Sequence, residues 1–259
     1  MPDAVRATLV AHRLDAHLAE RFPVGRRLRV LDVGAAPGPH HLLPEPIPGE
    51  QPLRLAGLGH EVTVLAPEGP GLSAVRARVV TKPAGVRSRV RLLAGAPGET
   101  GVHFQPRTFD VVLCHGALSH TDEPGPLLAG LARVLAIGGL LSLVVRNADA
   151  LALRPGLAGD WEAALAAFDH PIVAGEDGRL ARTHRRAALT ATLAGIGAPL
   201  HAWYGVGVFA GGPAAPSPGP DAGAGPGPEE GELAAEERAG RTDPYRDVAE
   251  LLHLFGVRG

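Results

Sequence analysis

FDVVLCHGALSHTDEPGPLLAGLARVLAIGGLLSLVVRNA, residues 109–148, contains the strongest structural signal in this chain. Phe109–Cys114 is a short and largely apolar run, which predicts a strand buried on both faces. Pro124 stands where the first turn of a helix tolerates proline, and apolar residues then recur at helical spacing. We expect Gly138-Gly139 to stop this helix before Leu140–Val145 forms a second strand. The stretch therefore predicts a strand–helix–strand unit, the building block of parallel α/β sheets.

A second strand with similar punctuation lies near the start of the chain, in RRLRVLDVGAAPG at residues 26–38. It ends in Asp32 and runs into a turn that contains Gly34 and Gly38. In open α/β sheets, ligands bind beyond the carboxyl ends of the strands. We therefore expect the functional site around this turn and around His115, which follows the later strand.

Four segments in this order resemble the successive motifs of class I S-adenosylmethionine-dependent methyltransferases. They are the strand with Asp32 and Gly34, then HEVTVLAPE, then FDVVLCHGALSH, then RVLAIGGLLSLVV. Residues 146–165, 204–209 and 236–258 add a narrower resemblance to bacterial methyltransferases that esterify the carboxylate of 5-carboxymethoxyuridine at the tRNA wobble position. The resemblance implies an α/β fold with a doubly wound, seven-stranded, mostly parallel Rossmann-like sheet and an antiparallel last strand. It also implies S-adenosyl-L-methionine as the cofactor and tRNA as a candidate partner.

The same resemblance implies which residues contact the cofactor. Glycines after the first strand let the backbone approach the amino acid end of the cofactor, because a Cβ would occupy that space. The central glycine of the family's turn is an alanine here, and Ala66 stands where the family has its ribose-binding acid, two residues before the nearest carboxylate. The glutamate after the third strand is either an adenine contact or a solvated loop acid. The cofactor-binding candidates are Asp32, Gly34, Ala36, Gly38, Glu68, Ala96, Glu99 and His115.

Methyl transfer is an in-line displacement, in which the protein mainly holds the acceptor close to the departing sulfur. A carboxylate acceptor has an ordinary pKa of about 4 and is already ionised at neutral pH. It needs no general base, so we expect a proximity mechanism without a catalytic side chain. Arginine would recognise such an acceptor, since its planar fork matches a carboxylate. The resemblance implies Arg146 and Arg241 for this role, with Asn147 and Tyr245 as polar neighbours, and a surface salt bridge is the alternative for each arginine.

Composition keeps two further functions open. The formal net charge of −2 gives no overall basic field of the kind that attracts nucleic acid, which favours a small-molecule acceptor over tRNA. The alanine in the glycine turn favours a noncatalytic methyltransferase-like binding protein. The histidine pairs in the sequence lack the spacing of zinc ligands, so no metal site is predicted.

We expect one domain over residues 1–259, interrupted by a Pro-rich insertion at 37–52 and a flexible Gly/Pro-rich linker at 211–228. The longest apolar run is broken by two adjacent glycines, which argues against a membrane span. The single cysteine, Cys114, allows no internal disulfide. Together with the absence of a secretory pattern, this predicts a cytoplasmic protein. The sequence carries no signal for the oligomeric state.

Overall fold

The structure is a computed structural model of the 259-residue chain, and it describes residues 2–34, 50–121, 123–170, 172–174, 180–209 and 228–259. Most of the predicted insertion and nearly all of the predicted linker lie outside these ranges. The cofactor candidates Ala36 and Gly38 also lie outside the described residues.

The strands form one large sheet and one small ribbon. The strands of the large sheet are β1 (Arg29–Val33), β2 (Glu61–Ala66), β3 (Val90–Ala94), β4 (Phe109–His115), β5 (Leu135–Arg146), β8 (Leu200–Val206) and β9 (Leu251–Val257). The ribbon pairs β6 (Ile172–Ala174) with β7 (Leu180–Arg182), and the sequence patterns did not predict it.

The spatial order of the large sheet is β3-β2-β1-β4-β5-β9-β8. Strands β1 to β5 pair in parallel, whereas β9 lies antiparallel between β5 and β8. This arrangement confirms the expected seven-stranded, mostly parallel sheet with an antiparallel last strand. It also brings the carboxyl ends of β1, β2, β4 and β5 to the same edge.

Helices connect the strands and cover the sheet. They are α1 (Pro2–Arg21), α2 (Glu50–Gly57), α3 (Pro70–Val80), α4 (Ala84–Arg87), α5 (Thr100–His103), α6 (Pro124–Val134), α7 (Leu153–Leu157), α8 (Trp161–Asp169), α9 (Arg186–Gly195) and α10 (Pro228–Ala239). The sequence patterns did not predict α3, which begins at a proline after a Pro-Glu-Gly loop. Among the helices within the described ranges, none combines the length and apolar character that a membrane crossing requires.

The glycine pair at 138–139 does not end α6, so that prediction is wrong. The helix ends at Val134 and β5 begins at once with Leu135. The pair instead lies in a bulge within β5. Leu135 pairs with Phe109 and Leu140 pairs with Val111, so five positions along β5 correspond to two positions along β4. A Cβ on Gly139 would lie 2.9 Å from the carbonyl oxygen of Asp110, so the bulge requires glycine.

Both faces of the sheet are buried, which is why β4 reads as a continuous apolar run. Val111 and Leu113 of β4 pack with Leu14 of α1 and Leu55 of α2. The alternate residues of β4 point to the other face, where Val112 packs in a cluster containing leucines of α6 and α9. Helices therefore lie on both sides of the sheet, and the strand ends remain as the place for a site.

Candidate active site

The turn after β1 forms the centre of the strand-end edge. Asp32 is buried at 4% exposure near the end of β1. Gly34 follows with φ +82°, in the left-handed region, and its N–H donates to the carbonyl oxygen of Leu65 at 2.9 Å. This hydrogen bond ties the turn after β1 to the end of β2. The backbone therefore leaves β1 in a conformation that glycine adopts without strain.

The turn after β4 packs directly on Gly34. Gly116, with φ +97°, redirects the chain into the short helical turn Ala117–His120. A Cβ built on Gly34 would lie 2.5 Å from the Cβ of Ala117, closer than two carbon atoms can approach. The loops after β1 and β4 are thus interlocked. The contact is so close that only glycine fits at position 34.

The acidic candidates after β2 and β3 are engaged in different ways. Glu68 follows β2 with its side chain 62% exposed, and its carboxylate lies 3.5 Å from the Arg76 guanidinium of α3. Glu99 closes its own turn, since the N–H of Ala96 donates to its Oε2 at 2.8 Å. This backbone hydrogen bond, with the His103 side chain beside the same carboxylate, lowers the pKa of Glu99. The structure therefore brings Ala96 and Glu99 together in one turn.

His115 lies at the end of β4 in a polar chain that crosses the sheet. Its Nε2 is 2.9 Å from the Ser142 hydroxyl, and the same hydroxyl is 2.8 Å from Nε2 of His253. Burial lowers the pKa of His115 to about 4 and the pKa of His253 well below its usual value. Both imidazoles are therefore neutral at neutral pH. The sequence indicated His115, but its partners on β5 and β9 carried no sequence signal.

Three arginines converge on one glutamate at the end of β5. A guanidinium nitrogen of Arg6 lies 2.5 Å from the Glu250 carboxylate, and nitrogens of Arg154 and Arg146 lie 3.3 Å and 3.5 Å from it. Arg154 also donates to the carbonyl oxygen of Gly207 at 3.1 Å. Burial lowers the pKa of Arg146. The Glu250 carboxylate raises it, and the positive charges of the two other arginines lower it. We call Arg6, Arg146, Arg154 and Glu250 the arginine cluster; it gathers three guanidinium groups, which are the side chains best suited to bind a carboxylate.

Asn147, the residue after β5, is buried and fully engaged with the backbone. Its Nδ2 donates to the carbonyl oxygens of Asp247 at 2.8 Å and Ala249 at 2.9 Å, and its Oδ1 accepts from the N–H of Asp149 at 3.0 Å. These bonds place the turn that contains Tyr245 beside the end of β5. The side chain of Asn147 therefore holds the site together.

The two remaining substrate candidates contact different residues. Tyr245 is 51% exposed, and its ring centroid lies 6.4 Å from that of Phe209. Arg241 contacts the Glu237 carboxylate of α10 and lies over the Tyr204 ring, 5.9 Å from its centroid. Of the two predicted arginines, the structure therefore places Arg146 in the arginine cluster and Arg241 elsewhere.

Comparisons with solved structures agree with this architecture. A methyltransferase structure from Methanosarcina mazei superposes with a TM-score of 0.59 at 12% identity, covering 93% of this chain and 96% of that one. The 1,6-didemethyltoxoflavin-N1-methyltransferase of Burkholderia thailandensis, solved with 1,6-didemethyltoxoflavin and S-adenosylhomocysteine, superposes with a TM-score of 0.55 at 19% identity. That alignment covers 99% of this chain and 79% of the other. The fold is therefore that of the class I S-adenosylmethionine-dependent methyltransferases.

Sequence comparison finds similarity to methyltransferases as well. Residues 48–143 match the model of the methyltransferase domain family. The chain is also 27% identical over 158 residues to the tRNA 5-carboxymethoxyuridine methyltransferase of Escherichia coli K12. That match covers 61% of this chain and 54% of the relative, so it spans about half the length of the curated protein.

Proposed function

We propose that this chain is an S-adenosylmethionine-dependent methyltransferase that acts on an anionic acceptor, with the carboxylate of a modified tRNA wobble uridine as the specific candidate. The observation that carries the proposal is the arginine cluster at the end of β5, beside the edge where the strand ends of a methyltransferase fold meet. The relative from Escherichia coli supports the acceptor, since its name describes a tRNA methyltransferase for 5-carboxymethoxyuridine.

The residues at the strand ends have the chemistry that the cofactor requires. S-adenosylmethionine carries an ammonium group and ribose hydroxyls, which need acceptors. The buried Asp32 carboxylate supplies one near the end of β1, and the exposed Glu68 carboxylate supplies another after β2. In this proposal Gly34 lets the backbone turn under the amino acid end, Ala96 and Glu99 form the adenine edge, and His115 borders the pocket.

The bound cofactor supplies a methyl group on a positively charged sulfur. The contribution of this chain is to hold the acceptor carboxylate in line with that methyl group, which is worth several powers of ten in rate for well-oriented reactants. Arg154 is the most exposed member of the arginine cluster, with 37% of its side chain accessible, and can turn toward an acceptor. Arg146 is more deeply buried and fixes the local positive charge from the end of β5.

Binding of S-adenosylhomocysteine tests the first half of the proposal. A ligand that binds the native state raises the free energy of unfolding by about 2.7 kcal/mol at a hundredfold excess over its Kd. We expect a saturable rise in melting temperature. No rise at millimolar ligand would favour a noncatalytic methyltransferase-like protein over an enzyme.

Methyl transfer to tRNA tests the acceptor. Total tRNA from cells unable to esterify carboxymethoxyuridine is incubated with the protein and radiolabelled cofactor. We expect incorporation that alkaline hydrolysis releases, because a methyl ester is labile to base. Arg154→Gln should raise KM for tRNA more than it lowers kcat, whereas Arg27→Gln, an exposed arginine paired with Glu61, should change neither.

A small-molecule acceptor is the second candidate, and two observations favour it. The formal charge of −2 provides no general attraction for nucleic acid. In addition, Trp161, Leu165 and Phe168 share one face of α8 and are between 68% and 71% exposed, as an apolar acceptor would require. Binding of S-adenosylhomocysteine without incorporation into tRNA would favour this candidate. Incorporation that weakens steeply with salt would favour tRNA.

A further inference from the structure

A cluster of three potential metal ligands lies where the end of α1 meets the outer strand β8. It consists of His17 and Glu20 of α1 and His201 of β8, whose ligand atoms all lie within 4.8 Å of one another. Strand β8 runs parallel to β5, because both are antiparallel to β9. His201, near the start of β8, is therefore at the edge opposite the strand ends that form the candidate active site. The cluster is separate from the methyltransferase chemistry.

The helix and the strand present these ligands for a physical reason. Residues three apart on a helix lie on the same face, so His17 and Glu20 point in the same direction. His17 is buried at 6% exposure, whereas Glu20 and His201 are exposed. A buried first ligand with two exposed ligands above it leaves one side open to solvent, from which an ion can enter.

Hydrogen bonding prepares the ring of His17 to act as a ligand. Its Nε2 lies 3.0 Å from the Tyr204 hydroxyl, and its Nδ1 lies 3.6 Å from a carboxylate oxygen of Glu20. If Nε2–H donates to the Tyr204 oxygen, Nδ1 carries a lone pair that faces another electron pair on Glu20. Metal-bound histidines typically donate their second ring N–H to such an outer partner. A cation placed between Nδ1 and the Glu20 carboxylate would then be bound by both groups.

We propose that His17, Glu20 and His201 form a zinc site that clamps α1 onto β8, with Tyr204 as its outer-shell partner. Two imidazoles and one carboxylate are a common zinc ligand set, and a water completes the tetrahedron. Zinc bonds to nitrogen and oxygen are about 2.0–2.2 Å long, so the ligand atoms would have to approach to roughly 3.4 Å. Rotation of the two exposed side chains can provide this closure.

A zinc titration of the metal-stripped, tag-free chain tests the site. The chain has twelve histidines, including the adjacent pair His40-His41 outside the described residues, so every variant is made in a His40→Ala/His41→Ala background. Calorimetry should show one zinc ion per chain. His201→Ala and Glu20→Gln replace exposed side chains and should fold normally, which melting without zinc verifies.

The variants distinguish specific zinc binding at this cluster from nonspecific binding elsewhere. His201→Ala should weaken zinc binding by more than about 100-fold, beyond the loss typical of an outer-shell change. Tyr204→Phe keeps the ring but loses the hydroxyl, and should weaken binding by about 10- to 100-fold. The matched control is His170→Ala, an exposed histidine at the end of α8, which should leave zinc affinity unchanged.

Two outcomes would overturn the proposal. One is the absence of zinc binding at micromolar concentration. The other is one-to-one binding that survives His201→Ala with the same affinity. Neither outcome bears on S-adenosylhomocysteine binding, so failure of the zinc site and failure of the proposed enzymatic function are distinguishable.

Discussion

Gly34→Ala tests the geometry of the turn after β1. The substitution has two costs, because Gly34 has φ +82° and because the new Cβ would lie 2.5 Å from that of Ala117. A non-glycine residue in the left-handed region loses about 1–2 kcal/mol. Forcing an extra carbon into a filled space loses about 1–3 kcal/mol more. We therefore expect the free energy of unfolding to fall by about 2–5 kcal/mol.

Gly25→Ala is the matched control for the backbone cost. Gly25 has φ +79°, and a Cβ there would meet no atom within 4 Å. This variant should lose about 1–2 kcal/mol, so the difference between the two variants isolates the contact with Ala117. Urea denaturation monitored by circular dichroism gives both free energies. Melting temperatures should follow, at about 2–4 °C per kcal/mol for a protein of this size.

A double-mutant cycle identifies the atom responsible. Ala117→Gly removes the Cβ that Gly34→Ala would strike, so the double variant should recover part of the lost free energy. The coupling between the two substitutions should be about 1–3 kcal/mol. A Gly34→Ala variant as stable as Gly25→Ala, or a coupling within about 0.5 kcal/mol of zero, would refute the interlocked loops.

Three further predictions follow from buried polar groups. Asn147→Ala removes two donated hydrogen bonds and one accepted bond from a buried position, and should lower the free energy of unfolding in urea by about 2–4 kcal/mol; a loss under about 1 kcal/mol would contradict this role. Burial lowers the pKa of His115 from 6.5 to about 4, so its contribution to stability is fully present above pH 6.5 and is lost as the pH falls toward 4. His115→Gln should flatten the pH dependence of the unfolding free energy in that window by up to about 1.4 kcal/mol per pH unit, and an unchanged slope would argue against it. Burial also raises the pKa of the Cys114 thiol to about 12, so a thiol reagent at pH 8 should label the native protein slowly and the urea-unfolded protein at once, whereas equal rates would show that the thiol is accessible.

The sequence predicted most of the large sheet because each strand and helix has a local signature. The family resemblance implied an antiparallel last strand, and the structure forms it from Leu251–Val257, between β5 and β8. The wrong prediction, that of the end of α6, also came from a local pattern. Gly138 and Gly139 have the composition of a helix stop, yet they accommodate a bulge whose shape depends on pairing with β4 and with Arg258 at the end of the chain.

The candidate site was less predictable than the fold. Arg146 and Asn147 were predicted as substrate-binding residues at the end of β5, but the side chain of Asn147 forms its hydrogen bonds with the backbone. Glu250 gathers Arg6 from 244 residues away, together with Arg154, and no spacing rule relates the three. The zinc ligands His17 and His201 are likewise distant in sequence, so no metal site was predicted.

The amino-acid pattern alone predicted the α/β class, which the structure confirms, and the edge of the sheet at which we expect a ligand to bind. These predictions rest on patterns that extend over a few positions: apolar runs in strands buried on both faces, helical periodicity and turn residues. Such patterns can be recognised in the sequence itself. Only the folded structure shows three other features: the charges that converge on Glu250, the contact between Gly34 and Ala117, and the place where α1 meets β8. These features depend on distances between residues that only the packing of helices onto the sheet brings together, because electrostatic and steric interactions act through space and not along the sequence.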